Sequence, residues 1–284
     1  MDSPIISSHM KDVLQKSAGN YEPRGRLDPE GFERHVSFHT YLPPVDLAAF
    51  IEHFWIIRWE DVSQTYHSEE VMHRPYVDIF VSREQSGIQG TFRGKRTYVA
   101  EGSGRIIGVR LRPGAFHAFW DGEIAGLQDK ILDLQRVFPE IESPTIEHLL
   151  TLDDDAAIHQ LLNLVRMKQP QPDANIELIN EIITAIETDE SLQTVTTVAK
   201  AFSRSERWLQ QLFQDYVGIG LKWLMQRHRL LAAAKQIRET DKPNWAAIAY
   251  DLGYSSQQHF IADFKQVLGQ TPRQYKKALN DFNR

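Results

Sequence analysis

A repeat in the C-terminal half constrains this 284-residue chain more than any other feature. Val198-Ala199, Ser205, Leu209, Phe213 and Gly218 return as Ile248-Ala249, Ser256, Phe260, Phe264 and Gly269. The offset is 50 residues at the Ala and 51 from the Ser onward, so the second copy holds one extra residue in its turn, near Gly253. Each copy reads as a short helix, a tight turn and a second helix opened by Ser. A serine there accepts a bond from a free N–H of the first helical turn, which makes it a favoured N-cap. The residues four and eight beyond each Ser share one face and are apolar. That face docks the helix and leaves the opposite one free, which is helix-turn-helix geometry twice over. Between the copies, Leu221 to Arg238 is a continuous helical pattern with Trp223, Leu224, Leu230, Ala233 and Ile237 as core candidates. At about 1.5 Å per residue it spans roughly 27 Å. Two helices on such a strut can enter successive major grooves, which lie about 34 Å apart on one face of a duplex.

Around the second copy more residues stand at fixed spacing: Leu252-Gly253-Tyr254-Ser255-Ser256, His259-Phe260, Phe264-Lys265, Gly269, Thr271-Pro272 and Tyr275. Upstream, Arg229-Leu230, Ala233 and Ile237 mark the connecting helix. With these residues, the stretch from roughly Ile176 to Tyr275 resembles the DNA-binding domain of the AraC/XylS family of bacterial transcription regulators. The resemblance implies a sequence-specific regulator, an activator in the family's commoner mode, with double-stranded DNA and RNA polymerase as partners. In the N-terminal half, Gly108-Val109-Arg110-Leu111-Arg112-Pro113-Gly114-Ala115 resembles a regulatory domain found before this module in many members, with no ligand assigned.

By that resemblance the base-reading positions are Arg207, Gln210 and Gln211 in the first copy and Gln257, Gln258 and His259 in the second. The chemistry fits, because Arg can bond guanine O6 and N7 in a fork and Gln can pair adenine N6 and N7. Lys200, Arg204, Lys222, Lys265 and Arg273 are candidate phosphate contacts, joined by the capping Ser205 and Ser256 and by Thr271 at the start of the last helix. One position departs from the family. Members often carry Arg two residues before the second-copy Phe, and here that residue is Ala262. Much of the specificity is therefore expected from the first copy.

The N-terminal half has a different texture. His53 to Trp59 and Tyr76 to Val81 are rich in aromatic and β-branched residues at strand length. Shorter strands are expected at Gly90 to Phe92, Thr97 to Ala100 and Ile106 to Leu111. Helical patterns follow Pro113-Gly114, and Asp153 to Met167 reads as a helix with acids at its start. Pro170 and Pro172 in a polar stretch then stop that helix and make a short connector. The expected architecture is α+β: a flexible leader over 1–30, a β-rich barrel or sandwich with a helical connector over 31–168, and an all-α domain with two helix-turn-helix motifs over 173–284.

A β-rich barrel can enclose a small molecule. Trp55, Trp59, Tyr66, Tyr76 and Phe80 offer stacking surfaces, and Arg83, Arg110 and Arg112 are placed to meet an anionic group. Asp78, alone among apolar neighbours, belongs either to the solvent face of its strand or to a pocket. The N-terminal domain is thus expected to answer to a small-molecule effector or to a protein partner, and a homodimer is left open.

Charge sharpens this division. The chain carries −6 overall, yet residues 173–284 hold 14 Lys and Arg against 13 Asp and Glu, so the acidity lies before them. Any basic footprint for DNA must be local. That neutrality and Ala262 support an alternative reading, an interaction module whose DNA reader has weakened. Without cysteine, a disulfide scaffold, thiolate zinc sites and thiol chemistry are excluded. Nine of the eleven histidines precede Pro170, but neither His35/His39 nor His67/His73 comes with a third ligand at recognisable spacing, so no metal site is expected. Asp153-Asp154-Asp155 is more simply a favourable charge at a helix start. No nucleophile elbow, P-loop, dinucleotide fingerprint or H-E-x-x-H is present, so neither an enzyme nor a bound cofactor is expected. No apolar run reaches the roughly 18 residues of a membrane span, and no secretory signal opens the chain, which points to a cytoplasmic protein.

Overall fold

A computed structural model describes residues 34–71, 75–92 and 95–282; the leader 1–30 and His73 lie outside them. The N-terminal half is built on one antiparallel sheet of β1 (Ser37–Tyr41), β2 (Ile51–Val71), β3 (Asp78–Ser82), β4 (Gly87–Gln89), β5 (Lys95–Leu111) and β6 (Ile131–Leu132), in the order β1-β2-β5-β3-β4-β6. The two strands expected at 97–100 and 106–111 are one long strand, β5, which pairs along β2 with register shifts near His53, Val62 and Tyr66. The strand expected at 90–92 lies earlier, at 87–89. Gly90 instead turns its N–H to the Lys130 carbonyl at 3.1 Å.

Alternation along the strands sorts their residues onto two faces. Phe54, Ile56, Ile79, Val81, Ile88, Ile107 and Val109 form the main core with α1 (Ser143–Thr151) and α2 (Asp154–Met167). Asp153 caps α2, accepting from the Ala156 N–H at 2.8 Å. Asp154 accepts from both Arg58 and Arg105, while Arg105 also donates to the Leu152 carbonyl at 2.6 Å. The acidic triplet thus opens a helix and ties it to the sheet.

After Pro170 and Pro172 the chain is helical: α3 (Ala174–Thr188), α4 (Val195–Ala201), α5 (Glu206–Val217), α6 (Leu221–Glu239), α7 (Trp245–Asp251), α8 (Gln257–Leu268) and α9 (Pro272–Phe282). Two separate cores form here. One gathers α3, α4, α5 and the start of α6 through Ile182, Val198, Leu209, Phe213, Leu221, Leu224 and Met225. The other gathers the end of α6 with α7, α8 and α9 through Leu230, Ala233, Ile237, Ile248, Phe260, Phe264 and Tyr275. At 100° per residue, Leu221, Leu224 and Met225 lie roughly opposite Leu230, Ala233 and Ile237 on α6. The strut therefore buries one side in each motif, which is why no single apolar stripe runs along it.

The packing does not stop at the proline seam. Ile176 of α3 belongs to the N-terminal core, and the end of α5 rests on the segment after β5. Asn180 donates to the Pro113 carbonyl at 3.0 Å. Tyr216 stacks on His117 at 4.1 Å, donates to Asp173 Oδ2 at 2.7 Å and accepts from Asn175 at 2.9 Å. Gly218, with φ of 75°, closes α5, and a Cβ there would stand 2.9 Å from the Ile124 carbonyl oxygen.

Candidate nucleic-acid interface

Both motifs are built by the same local chemistry. Ser205 and Ser256 cap α5 and α8, accepting from the Trp208 and His259 N–H groups at 3.2 Å each. Gly218 and Gly269 end the two helices in the left-handed region. In the turns, Ser203 (φ 52°) and Gly253 (φ 73°) are left-handed equivalents. The next N–H in each, from Arg204 and Tyr254, donates to the Ala199 and Ala249 carbonyls at 2.9 Å. The extra residue of the second copy is therefore Ser255, which follows Tyr254.

That insertion has a use. Ser255 Oγ is hydrogen-bonded to His259 Nδ1 at 3.3 Å, and Asp263 lies 3.8 Å from His259 Nε2. Tyr254 meets His259 edge-on at 5.3 Å, while the Arg229 guanidinium stands 5.4 Å over the Tyr254 ring. Burial, with Asp263 nearby and Arg229 opposing, pushes the Tyr254 hydroxyl up to about 12, so it stays protonated. In the first motif the equivalent pair is Arg204 stacked on Trp208 at 4.9 Å. Trp208, 37% exposed on α5, was not among the residues singled out by spacing; its register with His259 is the signal that finds it.

The expected reading residues fall into place unevenly. Arg207 and Gln210 are exposed and make no hydrogen bond or ion pair among the described residues; the same holds for Gln258 on α8. Gln257 is half-buried, at the register of Glu206 rather than of a reader. Gln211 donates to Asp215 at 2.8 Å, so its amide is held within α5. Lys200, Arg204, Lys222, Lys265 and Arg273 are all exposed. Thr271 differs from expectation: its N–H and hydroxyl both donate to Gln274 Oε1, at 2.8 and 2.9 Å, and are not open to a phosphate.

A second candidate site lies on the other face of the sheet. His53, Arg110, Asp78 and Gln89 are cross-strand neighbours in one row over β2, β5, β3 and β4, all buried. Arg110 donates to both Asp78 oxygens at 2.8 Å and lies 4.8 Å over the Tyr76 ring. Tyr76 donates to Glu52 Oε1 at 3.0 Å. Trp55 Nε1 and Thr91 Oγ1 are buried donors without a partner among the described residues. Of the residues expected at an effector site, Trp55, Tyr76, Asp78 and Arg110 meet here. Trp59 lies further along this face in an apolar cluster with Val36, Val62 and Ala100. Arg83 instead borders an open cleft of about 660 Å³ beside α1. Arg112 donates to the Ala48 carbonyl at 2.7 Å and borders a cleft of about 550 Å³ against α3. His53 and Gln89 join the row beyond the residues expected there; His53 is two residues from Trp55 and so shares its face.

Burial, reinforced by Arg110 and opposed by Asp78, pulls the His53 imidazole down to about 3 from its ordinary 6.5. Between those values the unfolded chain binds a proton that the folded chain refuses, so stability falls as pH drops from 6.5. At pH 5 the expected loss is about 2 kcal/mol. Melting curves should show His53→Gln with a flatter pH dependence than wild type; equal slopes would contradict a buried neutral His53.

The matches to known proteins divide along the same line. A family profile described as a helix-turn-helix domain matches residues 198–278, and one described as a domain of unknown function (DUF6597) matches residues 39–133. The chain is 34% identical over 105 residues to the regulatory protein SoxS of Escherichia coli K12, covering 96% of that protein and 36% of this one. It is 38% identical over 84 residues to a Streptomyces antibioticus protein described as an AraC-like transcription regulator, 30% of this chain and 27% of that one. It is 34% identical over 102 residues to the F1 operon positive regulatory protein of Yersinia pestis, 34% of this chain and 33% of that one. No helix among the described residues is long and apolar enough to cross a membrane. With SoxS matched over nearly its full length and both helix-turn-helix motifs intact, this chain belongs to the AraC/XylS family of transcription regulators, whose members bind DNA and are not enzymes.

Proposed function

We propose that α5 and α8 enter successive major-groove segments of one site, and that the N-terminal domain sets how α5 is presented. The observation that carries this reading is the seating of α5. Its exposed turn holds Arg207 and Gln210, while its last turn, Tyr216 to Gly218, rests on the segment after β5. The same strand carries Arg110 four residues before Gly114. A ligand or partner that shifts the Asp78–Arg110 pair would therefore move the platform under the first reading helix.

Arg110 is committed to Asp78 and His53 is neutral, so this face favours an uncharged polar effector over the anion that three arginines suggested. The name of the Yersinia relative supports an activating role, and an activator of this kind would act through contact with RNA polymerase. Residues 31–168 would form the regulatory unit and 173–284 the DNA-binding one, in a cytoplasmic protein.

Gly218→Val tests the coupling. A β-branched residue at positive φ is strained, and the new side chain meets the Ile124 carbonyl. We expect a loss of about 1–3 kcal/mol, faster proteolysis between the halves, and a DNA affinity that no longer responds to the N-terminal domain. Unchanged proteolysis and unchanged response would overturn the coupling.

A further inference from the structure

The repeat allows the two reading helices to be compared position by position. Offset by 51, Arg207 corresponds to Gln258, Trp208 to His259, Gln210 to Ile261, Gln211 to Ala262 and Gln214 to Lys265. Offset by 50, Lys200 and Arg204 correspond to Tyr250 and Tyr254. Lys200, Arg204 and Arg207 of the first motif thus have no cationic counterparts in the second, whereas Lys222 corresponds to Arg273. On α8, Ile261 is half-buried against the second core, and Asp263 is turned to His259 and Tyr254. What remains exposed in line is Gln258, Ala262 and Lys265, four and three residues apart and thus on one helical face.

An exposed alanine in the middle of a reading face is not a neutral gap. Its methyl lets the helix approach closely, and the apolar group a major groove offers is the C5-methyl of thymine. We infer that Ala262 reads a thymine one helical turn past Gln258, so that the second motif selects an A·T-rich step while the first reads through hydrogen bonds. Gln258 pairs an adenine, Ala262 covers the neighbouring thymine methyl, and Lys265 meets the backbone beyond. This rests on α8 lying in a major groove, as proposed above.

The test uses the full chain and its preferred site, with each thymine of the second segment replaced singly by deoxyuridine, which removes only the methyl. Burial of one methyl-sized group is worth about fourfold in affinity. Wild type should lose about that much at one position and little at the others. In Ala262→Gly the ratio of thymine to uracil affinity at that position should fall to about one. The ratio is taken within one protein, so a general weakening of α8 by glycine cancels. Ala262→Ser, which preserves the helix better and puts a hydroxyl in the contact, should also lower the ratio. A preferred site indifferent to every uracil, or a uracil effect that Ala262→Gly leaves intact, would overturn the assignment alone. A protein with no preferred site would overturn DNA reading itself and this inference with it.

Discussion

Arg207→Ala should weaken binding to the preferred site by about 1–3 kcal/mol, roughly five- to 150-fold, and relax discrimination at one guanine. Arg207 stands in the first turn of α5, exposed and without an internal partner among the described residues, so its fork of donors is ready for a base edge. Its counterpart Gln258 offers a neutral amide beside a methyl, and the second motif lacks the equivalents of Lys200 and Arg204. The first motif thus carries the stronger readout and the larger share of the exposed cations, with Lys265 and Arg273 left to the second. Competition binding against mutated sites checks this ordering. If Arg207→Ala leaves discrimination intact while Gln258→Ala abolishes it, the ordering is reversed.

Asp78→Ala should cost about 3–5 kcal/mol of stability, the usual consequence of stranding one member of a buried ion pair. Each of the Asp78 and Arg110 side chains is 11% exposed, and two 2.8 Å bonds join them. Removing the carboxylate leaves a guanidinium in a buried row beside neutral His53. For a domain of this size the melting point should drop by on the order of 10 °C. Replacing both partners together, Asp78→Leu with Arg110→Met, should recover most of the loss, because no charge is then stranded. A single-mutant loss under about 1 kcal/mol would show that water reaches the pair.

What could be read from sequence was what is locally encoded. Ser205, Ser256 and Asp153 cap the helices they announce, because capping depends on residues three apart. The prolines at 170 and 172 stop α2 for the same local reason. Elsewhere the deciding contacts are distant in the chain. Nothing near Arg112 reveals that it will bond Ala48, or that Arg110 will spend its charge on Asp78 across two strands. The join of β5 through residues 101–105 depends on pairing with β2, which overrides Gly102 and Gly104. The placement of the extra residue at Ser255 could be seen only once Ser203 was found in the left-handed region usually left to glycine. The seating of Tyr216 on His117 crosses from one half of the chain to the other and leaves no local pattern.

The most direct test is capture of fragmented genomic DNA by the purified full chain, sequenced beside an Arg207→Ala/Gln258→Ala double variant. Two helices reading successive grooves should enrich a site with two conserved segments about one helical turn apart. The double variant should lose that enrichment while still holding DNA weakly through Lys200, Arg204 and the other exposed cations. Enrichment that survives the double substitution, or wild-type protein that retains DNA without sequence preference, would contradict reading by α5 and α8 and favour an interaction module in its place.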